Sequence, residues 1–224
     1  MKLERIEFIN IELPLVRPFQ TSFGIQTTRP LFIIKAFTDV GIGWSECVAI
    51  SQPVYSTEYT QACQEVITRF FLPALKHDFK VEEISKILEK FLGHPMAKAA
   101  LETACLDAQL KYEGLSFAQY FGASKTHVDC GVSVGISPTI ENLENEVGSY
   151  INEGYRRIKL KIQPGWDMKP VERIRNLYPQ IPLQVDANQA YGRADIEHLS
   201  GLDQFNLLLN EQPLPENDLL GHAK

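Results

Sequence analysis

The spacing of apolar residues changes character about halfway along this chain. Ile6, Phe8, Ile11 and Leu13 recur at strand spacing and predict an edge-type strand that Pro14 ends. Residues 17–29 show no period and predict a loop, although they carry Phe19, Phe23 and Ile25. Those apolar side chains either cover the local core or close as a lid over an apolar ligand. Leu31 to Phe37 and Ile42 to Ala49 predict two further strands joined by a turn at Asp39-Val40-Gly41. Helical spacing then takes over. Tyr59, Ala62, Cys63, Val66, Ile67, Phe70 and Phe71 mark a first helix behind Ser56 and Thr57, with Pro73 as its stop. Val81, Ile84, Ile87, Leu88 and Phe91 mark a second, ending near Gly93-His94-Pro95. The third runs from Met96 to Glu113, is rich in small residues suited to close packing, and closes at Gly114. Strands followed by helices predict an α+β domain over residues 1–125.

From residue 126 to 224 strands and helices alternate strictly. Val128 to Ile136, Ile158 to Ile162, Leu183 to Asn188 and Leu207 to Glu211 read as strands. Ile140, Leu143, Val147, Tyr150 and Ile151 share one helical face; Asp167 caps a helix carrying Val171, Ile174 and Leu177 that Pro179 ends. Ile196, Leu199 and Leu202 mark a third helix, and a fourth starts near Glu216. Four βα units in succession predict a parallel sheet, the first half of a (β/α)8-type barrel. Such barrels carry their chemistry at the carboxyl ends of the strands. Here Lys161, Asp186 and Glu211 close three successive strands at intervals of 25 residues.

That rhythm singles out candidate site residues. Lys159 and Lys161 stand two apart on one strand, so both ammonium groups face one side, while Ile158, Leu160 and Ile162 fill the helix layer. Two such lysines inside a barrel need carboxylates nearby or a chemical task. Crowding lowers each cation's proton affinity and prepares one as a base near neutral pH. Asp186 with Glu211 offers two hard oxygen ligands suited to Mg²⁺ or Mn²⁺, and Asn188 shares the face of Asp186. Taken singly, K-x-K pairs usually lie on a wet strand face, and an Asp closing a strand is usually a cap. The common register is what lifts the set above that.

Composition narrows the partners. The formal charge of −6 and isoelectric point near 5.4 argue against nucleic acid or an anionic membrane surface. No apolar run approaches the roughly 20 residues of a spanning helix, and the amino terminus lacks a signal-peptide core. Cys47, Cys63, Cys105 and Cys130 lack C-x-x-C spacing and read as reduced thiols of a cytoplasmic protein. The five histidines form no ligand or triad spacing, and no phosphate-loop motif occurs.

Lys159-Leu160-Lys161, Pro164-Gly165-Trp166-Asp167, Val185-Asp186-Ala187-Asn188-Gln189-Ala190-Tyr191 and Glu211-Gln212-Pro213-Leu214 resemble the enolase superfamily, muconate lactonizing enzyme subgroup. Within it the chain is similar to o-succinylbenzoate synthases with N-acylamino acid racemase-like sequences. Gly43-Trp44-Ser45-Glu46-Cys47-Val48-Ala49 and Ala99-Ala100-Leu101-Glu102 extend the likeness through the first half. The resemblance implies a capping domain over a modified barrel and a small carboxylate as substrate. It makes Lys161 the base with Lys159 beside it, Asp186 and Glu211 the first two Mg²⁺ ligands, and Asn188 a support to that shell. It also puts Phe19 and Phe23 on a substrate-closing loop, Ile50 on a second capping loop, and Ser133 in contact with substrate. Asn210 stands where relatives usually carry an apolar residue.

The implied activity is Mg²⁺-assisted removal of the proton α to a carboxylate followed by loss of water, a carbon–oxygen lyase step in menaquinone synthesis. The superfamily's third acidic ligand and opposing lysine would fall about 25 and 50 residues beyond Glu211, and the sequence runs 13 residues past it. The expectation is therefore an amino-terminal portion of such an enzyme, lacking part of its catalytic set. Two alternatives stay open. One is an N-acylamino acid racemase or dipeptide epimerase. The other is a short non-catalytic protein that forms a homo-oligomer through its exposed fourth strand.

Overall fold

A long antiparallel hairpin stands where the sequence predicts a short strand and a loop. In the computed structural model, which describes residues 1–75 and 77–223, β1 (Leu3–Thr21) runs through Pro14 and Pro18 to a turn at Ser22 and Phe23. β2 (Gly24–Thr38) returns beside it. The expected stop at Pro14 fails because β1 is the edge of a sheet ordered β1-β2-β3. A proline's missing N–H is tolerated on an edge, where it can face away from the single partner strand. β3 (Gly41–Cys47) pairs antiparallel with β2, from Phe32 opposite Cys47 to Thr38 opposite Gly41.

The chain divides into two compact units. Met1–Pro14 and Thr28–Thr126 form one; Leu15–Thr27 joins the chain from His127 onward in the other. The hairpin tip with Phe19 and Phe23 thus belongs to the βα unit, which the hydrophobic pattern did not reveal.

In the first unit, α1 (Thr60–Val66) passes through a π turn at Ile67–Phe71 into α2 (Leu72–Ala74). Pro73 sits in the first turn of α2, where no N–H is required, so it lies inside the helical run instead of ending it. A 3₁₀ turn at Val81–Glu83 leads into α3 (Ile84–Leu88), which stops before Phe91. α4 (Pro95–Glu113) closes at Gly114, whose φ of 69° suits glycine, as expected. α5 (Phe117–Tyr120) starts at Ser116, whose side chain accepts from the Gln119 N–H.

The core packs Phe32, Ile34, Phe71 and Ile84 with Leu101 and the small residues Ala97, Ala100 and Ala104 of α4. Each large side chain buried there stabilises the unit by about 1.5–3 kcal/mol before entropy is counted. Contact is close enough that a Cβ on Gly43 would stand 1.9 Å from the Ala104 carbonyl oxygen. That is why this β3 position carries no side chain. Glu58, 3% exposed, accepts from the N–H groups of Met96 (2.8 Å) and Ala97 (3.0 Å) and closes the N-terminus of α4.

The second unit alternates as predicted: β4 (Gly131–Val134), α6 (Ile140–Asn152), β5 (Arg157–Lys161), α7 (Met168–Leu177), β6 (Leu183–Asp186), α8 (Ile196–Ser200), β7 (Asn210–Glu211) and α9 (Leu219–His222). The four strands are parallel in the order β4-β5-β6-β7. Several are shorter than expected. β4 starts after the exposed Val128, β6 ends at Asp186, and β7 keeps two residues because Leu208 and Leu209 lie exposed. Ladder bonds still reach further, with the Leu208 N–H donating to Leu183 and the Val185 N–H to Leu209. Val134, Ile158, Leu160, Leu183 and Val185 are buried with Leu143, Val147, Val171, Ile174 and Leu199 of the helices. The alternate positions of β5 are Lys159 and Lys161.

Candidate active site

Parallel pairing in register sets this site. Lys161 lies opposite Asp186, and Asp186 opposite Glu211, so the 25-residue rhythm of the sequence is the strand register itself. The Lys161 ammonium donates to Asp186 Oδ2 at 2.6 Å and to Asn188 Oδ1 at 2.8 Å. Lys159 lies 3.0 Å from Glu211 Oε2 and 3.3 Å from Asp186 Oδ2, bridging the two carboxylates. Two cations and two anions make the cluster neutral, which lets Lys161 and Asp186 be buried while Lys159 and Glu211 stay partly exposed.

The two lysines differ in proton affinity. For Lys161, 8% exposed, burial dominates and pulls its pKa below the ordinary lysine value despite the pairing with Asp186. Burial acts the same way on Lys159, but its hydrogen bond to Glu211 and the charge of Asp186 outweigh it and leave the pKa raised. The depression expected from their spacing holds at Lys161, where the charge of Lys159 adds to burial, and is corrected at Lys159, whose carboxylate partners outweigh it. At Asp186, burial raises the pKa, and the hydrogen bond and charge of Lys161 more than reverse that, so the carboxylate stays ionised.

The remaining predicted residues are distributed unevenly. The Phe19 ring centre lies 5.9 Å from the Lys161 nitrogen, within cation–π range. Ser133 is opposite Lys159 on β4, and its buried Oγ finds no partner among the described residues. Phe23 occupies the turn at the hairpin tip, half-buried. Ile50 belongs to the first unit, where it is buried just beyond β3.

Three contributors escaped the sequence reading. Gln184, 5% exposed and opposite Lys159, donates to Glu211 Oε2 at 3.5 Å. Its signal was a lone polar residue on the face of an apolar strand that Asp186 shares. The Ser22 hydroxyl donates to the Asn188 carbonyl at 3.1 Å. Gln212 accepts from the Asn188 side-chain amide at 3.4 Å. Nearby, Asp167 caps α7 and also accepts from the Tyr191 hydroxyl at 2.8 Å and pairs with His198 at 2.9 Å. A histidine that looked like helix surface is thereby tied to the loop after β5. Asn210, the polar departure on β7, keeps a buried Oδ1 without a partner among the described residues.

No group of three or more His, Cys, Asp or Glu side chains could hold a metal among the described residues. Asp186 and Glu211 nevertheless fit a hard divalent ion. They are adjacent and in register, and the ammonium of Lys159 between them shows that this point attracts positive charge. Mg²⁺ commonly takes one or two protein carboxylates and completes its octahedron with water and substrate oxygens.

A parallel βα sheet with lysine and carboxylates at its strand ends, preceded by an α+β unit, defines the class: a barrel-type enzyme architecture of the enolase kind. The chain belongs to the mandelate racemase / muconate lactonizing enzyme family of the enolase superfamily. Residues 5–122 match that family's N-terminal domain, and residues 142–224 match the enolase C-terminal domain-like family. It is 48% identical over its whole length to an N-succinylamino acid racemase of Amycolatopsis sp, covering 62% of that protein. It is 38% identical to an o-succinylbenzoate synthase of Geobacillus stearothermophilus, covering 100% of this chain and 60% of that one.

Among solved structures, an enolase superfamily member from Listeria innocua aligns over 100% of this chain and 61% of its own, at TM-score 0.93 and 38% identity. A dipeptide epimerase of Enterococcus faecalis complexed with Mg and L-Leu-L-Tyr aligns over 99% and 64%, at TM-score 0.86 and 25% identity. The chain spans about 60% of the length of the curated relatives it matches. No helix among the described residues is long and apolar enough to cross a membrane.

Proposed function

We propose that this chain carries the Lys161 side of an active site that removes the proton α to a carboxylate and then expels water, as in o-succinylbenzoate synthesis. One observation carries the reading: a buried lysine of lowered proton affinity lies at the strand ends between Asp186 and Asn188. Its neutral amine takes the α-proton onto Nζ and afterwards returns it to the departing hydroxyl, which leaves as water. Lys159, with its raised proton affinity, stays cationic and balances the carboxylates. Phe19 excludes water from the amine. Asp186 and Glu211 would hold a divalent ion, which supplies stabilisation of the negative charge developing on the substrate carboxylate. Phe23, Ser133 and Ile50 are assigned to substrate contact in the same reading, and the cytoplasm to the protein.

The match to an N-succinylamino acid racemase supports a second substrate class, N-acylated amino acids, for which α-proton removal is followed by reprotonation. Both chemistries share the first step. Deuterium uptake at the α-carbon in D₂O with Mg²⁺, followed by proton NMR, reads it for an N-acylated amino acid, and loss of the α-proton signal as water is expelled reads it for the dehydration substrate. Uptake that disappears in Lys161→Met supports the reading. Uptake that persists undiminished in that variant defeats it.

A further inference from the structure

Three residues at the ends of β6 and β7 hold left-handed backbone conformations without being glycine: Asn188 (φ 45°), Gln189 (φ 66°) and Gln212 (φ 44°). A residue with a Cβ holds such a conformation only where its surroundings fix it. Gln212 carries a second restriction, because Pro213 follows it and favours an extended conformation at the preceding position. The three are locked to one another. The Gln189 N–H donates to the Gln212 carbonyl at 2.7 Å, and the Tyr191 N–H donates to the Pro213 carbonyl at 3.1 Å. Strain gathered at one spot and pinned by two adjoining loops calls for something gained there.

The gain is legible in the hydrogen-bond polarity. A lysine ammonium donates and never accepts, so the Asn188 side chain must turn its Oδ1 toward Lys161. Its NH₂ then faces the opposite way and needs an acceptor, which Gln212 Oε1 provides. Asn188 cannot flip without setting donor against donor at Lys161, and Gln212 would have to turn its own amide with it. With Asp186 and Asn188 each taking one N–H of Lys161, the remaining tetrahedral direction of the nitrogen is the one left for its lone pair. The geometry points to Gln212 as a positioning residue: through Asn188 it sets the direction in which the Lys161 amine faces.

The inference rests on Lys161 being the base, and its test is chosen to read geometry independently of turnover. Gln212→Gly removes the acceptor while allowing the left-handed backbone without strain, so the fold is kept. Gln212→Glu keeps an oxygen acceptor at the same reach. Site-resolved mass spectrometry of lysine acetylation is expected to show Lys161 labelled about fivefold faster in Gln212→Gly, the order of one lost hydrogen bond. Labelling in Gln212→Glu should stay near the original rate, and the thermal midpoint of Gln212→Gly should not fall. Deuterium exchange should show kcat reduced by about tenfold or more with KM nearly unchanged in the glycine variant, as small misplacements of a catalytic group do.

Equal labelling of Lys161 in the original protein and Gln212→Gly would overturn the proposal. So would a glutamate variant that behaves like the glycine one. Exchange that persists in Lys161→Met would count against Lys161 as base, while the labelling comparison would still judge the interlock.

Discussion

Glu58 of the first unit and Asp186 of the second are both buried carboxylates, and they are satisfied in different ways. Glu58 in the first unit takes backbone N–H groups of Met96 and Ala97 at the start of a 19-residue helix. Asp186 in the second takes one backbone N–H, that of Asn188, together with the ammonium groups of Lys161 and Lys159. Backbone donors are held by the helix and cannot be exchanged, so Glu58 is a structural fixture. Side-chain ammonium groups can release protons, move, or yield to another cation, so Asp186 is bound in a way that can change during a reaction. Burial alone does not separate a structural acid from a candidate functional one; the kind of partner does.

That contrast can be broken by substitution. The largest effect is expected at Lys161: Lys161→Met should lower α-proton exchange by about 10²–10⁴-fold, the range for loss of a general base, read by NMR in D₂O. Glu58→Ala should instead cost about 2–3 kcal/mol in denaturant unfolding, leaving N–H groups of α4 unpaired, while Lys161 labelling stays unchanged. Altered labelling there would mean that Glu58 is more than a fixture.

Asp186 supplies a pH test. Its pKa is lowered in the fold, so its contribution to stability is complete above the ordinary Asp value of about 3.9 and is lost as pH falls through its own lower value. Unfolding midpoints measured on acidification should therefore fall less steeply in Asp186→Asn than in the unmodified protein. The smallest effect belongs to the surface pair of Arg173 and Glu144, where Arg173→Ala should lower the thermal midpoint only slightly.

Much of the second unit was legible because periodicity and chemistry coincide there. Apolar runs ending in Lys161, Asp186 and Glu211 foretold both the strands and the charges at their ends, since parallel strands of equal spacing align in register. Less was legible in the first twenty-odd residues. The pattern predicts a stop at Pro14 and a loop over 17–29, and only an edge position makes Pro14 and Pro18 harmless in a strand. Gln184 and Gln212 were overlooked because a glutamine carries no charge to announce itself, although each touches a charged or orienting member of the site. Glu58 was invisible for a different reason: its donors lie 38 and 39 residues further on.

The sequence by itself determined the two kinds of unit, the order of the βα elements, and the residues that would close successive strands, because these follow from local period and repeat length. Only the tertiary structure decided which lysine loses proton affinity, how Asn188 is turned, and that the hairpin tip joins the βα unit. Those outcomes depend on burial and on hydrogen-bond partners distant in sequence, and no local pattern encodes them.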